Sequence, residues 1–413
     1  MEKTENLSKS WLVVMSAASF FFYSFIQMTM FSTAEMKNYF SDVLSIPNTA
    51  AFGLFAGMFL IGCVIFLIPA GILLDKFSVR KLMLGAVLLM VIGVAGMSFT
   101  HNLAIAKFFR FLTGIAHCIA FMAPLRLAPR WFPSKKLALA VGLVITFAVT
   151  GGLVSQTPMY WTITALGGKQ TMFLNLGIGV LIFIMIYLFV KDHPQETGQS
   201  EAVTATESLP LWEGLKKAVG NKQNWLCGFY IGLLNLAVLL LGAIWGTNYL
   251  QYKYSYLTPE IITSIIGMIF IGTMIGSPLC GLISDKLKNR KWTMLVGALF
   301  SLVIMFIIMY VSKPSPIFLY FMFLLLGIIT SAQTIGYAVI GESNNDNVLG
   351  TANGFSAVLL MGMAAIAQPL FGWLISIFGG DSSTSYMKAI YLMPISFGIA
   401  LLCALLLRET FKK

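Results

Sequence analysis

Long apolar runs recur along this chain with so few charges between them that no water-soluble core is compatible with the pattern. A helix needs about 20 apolar residues to cross the hydrocarbon core of a bilayer. On that criterion spans are predicted over 11–36, 48–73, 82–100, 103–127, 137–160 and 170–190, and again over 225–250, 258–283, 292–312, 315–340, 350–378 and 385–407. Charged residues make up only 10% of the chain, against about 25% for a soluble domain. The expected fold class is therefore an all-α membrane protein with twelve transmembrane helices.

A charged cassette appears twice, 210 positions apart, each time after an apolar run. It reads Gly71, Asp75, Lys76, Arg80 and Lys81 in the first copy, and Gly281, Asp285, Lys286, Arg290 and Lys291 in the second. Five identities in one register, at half the chain length, point to two homologous halves. In so apolar a chain they suggest a secondary transporter built from two six-helix bundles with pseudo-twofold symmetry. The expected organisation is a bundle over 1–190, a cytoplasmic linker over 191–221 and a second bundle over 222–413.

The net charge of +11 invites a nucleic-acid partner, but its distribution argues for the lipid bilayer instead. Of the 27 Lys and Arg, twenty fall on one predicted side, five on the other, and Lys107 and Arg110 inside a span. Such asymmetry in short loops places both termini and the linker in the cytoplasm. The first apolar run is too long for a cleavable signal and reads as the first span. Cys63, Cys118, Cys227, Cys280 and Cys403 sit within apolar runs at unrelated spacings, so neither a metal site nor a disulfide is expected. In the linker, 211–217 reads as a short amphipathic surface helix with Leu211, Trp212 and Leu215 turned inward.

With these residues in view, the chain resembles the major facilitator superfamily. The cassette at 71–81 is similar to that family's loop motif between helices two and three, G-x-x-x-D-[RK]-x-G-[RK]-[RK], with Ser78 in place of the usual glycine. The copy at 281–291 is similar to the loop between helices eight and nine, and Arg110 followed by Gly114 resembles the helix-four motif. The resemblance implies that Asp75, Arg80, Asp285 and Arg290 gate alternating access. The stretch from Arg110 to Gly152 further resembles bacterial phagosomal nutrient transporters and MFSD-type lysosomal carriers, which implies amino acids, small peptides or comparable metabolites as cargo. The helix-five pattern of proton-driven drug antiporters is broken: Ser155 and Gln156 stand where Gly-Pro is usual.

A charge inside a membrane is costly and therefore a functional candidate by default. Arg110 suits bidentate capture of a carboxylate. His117, seven residues on and on the same stripe, belongs to the side-chain type that switches charge near neutral pH, although burial and nearby positive charge are expected to leave it neutral at rest. No carboxylate lies deep in a predicted span; Glu35, near the outer end of the first, and His117 are the candidates for proton coupling. A positive neighbour, Lys107 or Arg110, is expected to keep Glu35 ionised. Further cavity candidates are Tyr23 and Gln27 on the first span, Asn235 and Asn248 on the seventh, and Gln333 and Tyr337 on the tenth. For each, contact between helices is the plainer role.

The chain is thus expected to be a monomeric, multi-pass carrier of the bacterial cytoplasmic (inner) membrane, with no cofactor and no metal. It would move a small polar metabolite, by proton symport or by uniport. The alternative is a proton-driven exporter of a drug, siderophore or metabolite. No phosphate-binding G-x-x-x-x-G-K-[ST] loop is present to support an ATPase.

Overall fold

The computed structural model describes residues 2–193 and 211–411, and these are helical with short connections. The first series of spans comprises α1 (Glu2–Thr29) followed by a short α2 (Ala34–Val43), then α3 (Thr49–Lys76), α4 (Val79–Phe99) and α5 (Leu103–Trp131). It ends with the pair α6 (Ser134–Val154) and α7 (Thr157–Leu166), and α8 (Gly168–Phe189). After α9 (Leu211–Gly220), one span is assembled from α10 (Lys222–Leu234), a π-helix (Ala237–Trp245) and α11 (Gly246–Lys253). Then come α12 (Pro259–Leu287), α13 (Arg290–Tyr310), and a span made of α14 (Pro316–Thr330), a 3-10 turn (Ser331–Thr334) and α15 (Ile335–Ser343). The chain finishes with α16 (Asp346–Ile377), α17 (Ser383–Ala389) and α18 (Leu392–Leu406). Among the described residues eleven helical stretches are long and apolar enough to cross a bilayer, and the bent pair α6–α7, taken as one span, makes a twelfth.

The helices divide into two compact units, Met1–Ile46 with Met58–Glu201, and Pro47–Gly57 with Ala202–Lys413. The start of α3 joins the second unit because Gly53 lets it close on that unit's side chains. A Cβ there would sit 3.2 Å from the Trp245 ring and 3.1 Å from Gln368 O.

Local chemistry sets the helix ends. Ser78, Asn102, Asn221, Thr258, Asn289 and Ser315 each accept a backbone N–H from the first turn of α4, α5, α10, α12, α13 and α14. The predicted first span ran to 36, but α1 stops at Thr29 and Thr33 restarts the chain by capping α2 through Met36 N at 3.3 Å. Glu35 therefore lies on α2, outside the first span.

Each unit contains helix crossings at backbone-to-backbone distance. A Cβ on Gly62 of α3 would lie 2.3 Å from Phe111 O, and one on Gly114 of α5 would lie 1.9 Å from Phe59 O. In the second unit, Gly272 of α12 and Gly327 of α14 stand in the same relation to Leu324 O and Ile269 O, each at 2.3 Å. Gly62 and Gly272 are 210 residues apart, the spacing of the cassettes, so the repeat extends from loop chemistry to packing. Between lipid-bathed helices small residues allow the backbone contact that dispersion needs. The five cysteines are buried and free, and Cys118 Sγ donates to Cys63 O at 3.2 Å beside the first crossing.

Two surface features depart from or add to expectation. Residues 194–210 of the linker, and the side chain of Leu211, lie outside what the structure describes. In α9 it is Gly214 and Ala218 that are buried against the protein, while Trp212 is 75% exposed and faces away from it. The reason is steric: a Cβ at Gly214 would be 2.9 Å from Thr351 Oγ1, a contact too close for a bulky face. The chain end folds back onto α13. Glu409 accepts the backbone N–H groups of Arg290 at 3.1 Å and Lys291 at 2.9 Å, capping that helix from outside.

Two outcomes follow from this packing. Gly114→Val should lower stability by about 1–3 kcal/mol or more through overpacking, read as a lower melting midpoint in detergent. Gly177→Ala, where no atom lies within 4 Å of the new Cβ, should be neutral or slightly stabilising. Burial raises the Glu409 pKa, but the backbone donors of Phe411, Lys291, Arg290 and Thr410 outweigh it and leave the pKa below its ordinary 4.5. A depressed folded pKa means the tail's contribution is complete above about pH 4.5 and is lost as pH falls through the lower folded value. Hydrogen-exchange protection at the Arg290 and Lys291 amides should accordingly fall on acidification, and Glu409→Gln should lower it at neutral pH.

Candidate functional site

In the first unit the polar side chains of α1, α5 and α8 form a buried cluster. Tyr23, Ser24, Gln27, Arg110, His117 and Asn175 are all at most 4% exposed. The cluster is divided. Tyr23 OH donates to Asn175 O at 2.9 Å and Gln27 Nε2 to Asn175 Oδ1 at 3.2 Å, so the expected pair faces α8. Asn175, which sequence reasoning missed, in turn donates to Thr171 O at 3.0 Å. Its only signal was an amide inside an apolar run.

Arg110 turns to the end of α1. Its Nη1 donates to Gln27 O at 2.6 Å and Nη2 to Met28 O at 3.3 Å, and Phe31 and Phe59 rings flank the guanidinium at 4.7 and 4.8 Å. These carbonyls carry the negative end of the helix dipole, so the charge is balanced by backbone and π faces. Arg110 Nε has no hydrogen-bond partner.

His117 shares the Phe59 ring with Arg110, at 5.2 Å between centroids. Its Nδ1 lies 3.0 Å from Ser24 Oγ, and Ser24 gives its one hydrogen to Phe21 O at 2.9 Å. The hydroxyl must then accept from the imidazole, which fixes Nδ1–H and leaves Nε2 as a basic lone pair. That Nε2 is buried and without a partner, as is Gln27 Oε1.

Glu35 has one carboxylate oxygen buried without a hydrogen-bond partner, and no ion pair joins it to Lys107 or Arg110 among the described residues. Burial raises its pKa above 4.5, and a hydrogen bond from its own backbone only partly offsets this. The expected positive neighbour does not reach Glu35: the Arg110 donors go to main-chain carbonyls instead.

In the second unit the candidates gather where helices break. Asn235 is half-buried at the end of α10, and its carbonyl accepts from Val238 N and Leu239 N as the π-helix begins. The wider π coil has its own side-chain support. Gln368 Nε2 donates to Leu239 O at 2.7 Å, and fully buried Trp245 donates to Gln368 O at 3.1 Å. Such π segments are rare and frequent at functional sites. Asn248 follows the π-helix, and Gln333 lies in the 3-10 turn. Both are buried, and Asn248 Oδ1 and Gln333 Oε1 have no partner. Tyr337, on α15, is 37% exposed. No hydrogen bond joins these four residues to one another among those described.

The break in the first unit falls at Ser155–Gln156. Ser155 O, near the end of α6, accepts from Ser32 Oγ at 2.5 Å, and Ser155 Oγ accepts from Thr29 at 2.8 Å. Departure from the Gly-Pro pattern thus coincides with a 42° bend fastened to the end of α1.

The cassettes are alike in sequence and different in wiring. In the first, Asp75 pairs with Arg126 of α5. Arg80 does not engage Asp75. Its Nη2 donates to Tyr187 O at 2.6 Å, while Asp192 receives Arg80 N at 3.0 Å. Ser78 occupies the position of the family glycine at φ −56°, a conformation any residue adopts. In the second, Arg290 is central: it binds Asp285 Oδ1 at 2.6 Å, Ser284 Oγ at 3.1 Å and Glu342 Oε1 at 3.0 Å. Arg126, Glu342 and Glu409 were not singled out from the sequence, since a charge at a helix end looks like any other loop charge.

Comparison with known proteins adds to this geometry. Over 150 residues, 35% of this chain and 35% of the relative, the sequence is 29% identical to a quinolone resistance transporter of Acinetobacter baumannii. It is 25% identical to a putative tartrate transporter of Agrobacterium vitis over 61% of this chain and 59% of that protein. The chain thus spans less than two thirds of the length of these curated relatives. The fold matches the crystal structure of a bacterial homolog to the human lysosomal transporter Spinster, inward-facing and unoccupied, with a TM-score of 0.75 at 14% identity, over 98% of each chain. The family model of the Major Facilitator Superfamily matches residues 13–259 and 233–413. With nearly the whole chain matched and the twelve-span helical architecture in place, the protein belongs to the Major Facilitator Superfamily.

Proposed function

We propose that this protein is a carrier, not an enzyme, that moves a small hydroxy or amino carboxylate across the bacterial cytoplasmic membrane by alternating access, with both termini in the cytoplasm. The observation that carries the reading is the composition of the buried polar set. In the first unit it holds a guanidinium, Arg110, that meets main-chain carbonyls but no carboxylate among the described residues and keeps an unpartnered Nε, with acceptor atoms without donors at Gln27 and His117. The second unit by itself has such acceptors at Asn248 and Gln333. A buried polar atom without a partner is costly. A cargo with hydroxyl or ammonium hydrogens supplies donors, and its carboxylate complements the cation. Similarity to a putative tartrate transporter supports an anionic cargo.

Similarity to a quinolone resistance transporter favours a second reading, export. The Ser155–Gln156 break, in place of the Gly-Pro of the drug antiporters, counts against it. Counterflow of radiolabelled hydroxy and amino carboxylates in proteoliposomes tests the first reading. Exchange of none of them, with efflux of a fluorescent drug from cells, would establish the second.

Arg110→Lys should weaken cargo binding at least tenfold, because one ammonium cannot serve two carbonyls and a carboxylate as a planar fork does. Melting midpoints measured in parallel separate this from loss of the α1 contact. Unchanged affinity in a folded Arg110→Lys protein would remove the residue from cargo recognition.

Proton coupling is assigned to Glu35 and His117. Burial leaves Glu35 protonated at higher pH than a free carboxylate, and His117 presents a bare Nε2. Glu35→Gln or His117→Gln should abolish concentrative uptake driven by a pH gradient while retaining exchange. Wild-type uptake indifferent to an imposed gradient would instead establish uniport.

The cassettes are assigned to gating. Asp75→Asn should slow transport more than Asp285→Asn. Arg126 loses its only ion-pair partner among the described residues, whereas Arg290 keeps Glu342. Equal, wild-type rates at matched expression would reduce the cassettes to topological anchors.

A further inference from the structure

We infer that the outward face of α9 is a docking surface for anionic phospholipid headgroups. The helix is fixed in place by its other side. Gly214 and Ala218, one turn apart, are buried, and Gly214 closes on Thr351 of α16. The last carbonyls of α9 are held by the next helix: Asn224 Nδ2 donates to Ala218 O at 2.9 Å and Trp225 Nε1 to Val219 O at 2.8 Å.

At 3.6 residues per turn, the stripe opposite Gly214 and Ala218 is Trp212, Lys216 and Val219. Trp212 is 75% exposed and Val219 39%, and Lys216 and Lys217 are exposed as well. Leu215, half-buried, continues the apolar edge on one flank. Exposed Lys222 follows at the start of α10, so three lysines stand against one glutamate, Glu213.

Depth and charge together select the occupant. Trp225 lies in the first turn of a membrane span, is 37% exposed, and packs edge-on against Phe355 at 4.8 Å. A tryptophan at a span end marks the headgroup level, where an amphipathic ring is half in hydrocarbon and half in water. Its bond to Val219 O holds α9 at the same level. An apolar edge beside lysines, held at that depth, fits acyl boundary and phosphate at once, because lysine stems lie along apolar surface while the ammonium reaches the headgroups. A soluble acidic partner would satisfy the lysines but leave Trp212 and Val219 in water.

The test uses the full-length protein in nanodiscs of phosphatidylcholine alone or mixed with phosphatidylglycerol, with brominated acyl chains as the quencher. The Trp212 signal is the difference between wild type and Trp212→Phe. It should be quenched, more strongly with phosphatidylglycerol, and the excess should fall at high salt, where charge is screened. Lys216→Gln with Lys217→Gln should remove that excess, each lysine being worth about fivefold in lipid association. Both substitutions are on the exposed face and leave the melting midpoint in detergent unchanged. Absence of Trp212 quenching in both lipids overturns the inference, and so does quenching that is equal in both and indifferent to the lysines.

Discussion

The backbone-to-backbone approach of α3 and α5 at Gly62 and Gly114 is the contact on which the first unit depends. In lipid, helices gain little from hiding apolar surface, since the solvent is as apolar as leucine, so association rests on close dispersion contact and hydrogen bonding. Removing two side chains brings the α3 and α5 backbones into contact. That closeness sets Phe59 against both the Arg110 guanidinium and the His117 ring. The second unit repeats the device with Gly272 and Gly327. Pairing of polar groups is then decided by which faces these crossings leave free.

The polar interior is a set of unequal solutions to one problem, how to hold hydrogen-bonding groups away from water. Tyr23 gives its hydroxyl hydrogen to the Asn175 main-chain carbonyl, and the Asn175 amide donates to Thr171 O and accepts from Gln27. Arg110 is balanced by the carbonyls of a helix end, which needs no acidic residue in the membrane. Gln27, His117, Asn248 and Gln333 each retain an atom without a partner. Helix breaks sit beside several of these residues, as where a π coil is pinned by Gln368 and followed by Asn248. Irregular backbone at membrane depth is tolerated where protein groups satisfy it.

The two cassettes show how one motif supports two circuits. Among the described residues Asp75 has one ion-pair partner, Arg126 of another helix, while Arg290 gathers Asp285, Ser284 and Glu342 and lies beneath the chain end. The loop geometry differs with the wiring. Ser78 caps α4 directly, whereas Lys288, its counterpart in register, takes a left-handed φ of 50° and the cap passes to Asn289. That shift of one residue makes Arg290 and Lys291 the first two residues of α13, whereas Arg80 and Lys81 are the second and third of α4, and Glu409 accepts the N–H groups of both Arg290 and Lys291.

What the sequence alone determined is the membrane class, the twelve spans and the repeat, because hydropathy adds up along the chain whatever each helix faces. It also placed Arg110 and His117 on one stripe, since helical spacing is local. It could not orient the stripe. That Tyr23 and Gln27 turn to Asn175, that Arg110 engages main-chain carbonyls, that Asp75 meets Arg126 and that Trp212 faces outward were decided by tertiary structure. Each depends on how a helix is rotated against its neighbour. That rotation is set by contacts of a few ångströms between residues far apart in the chain, such as Gly114 against Phe59 and Gly214 against Thr351.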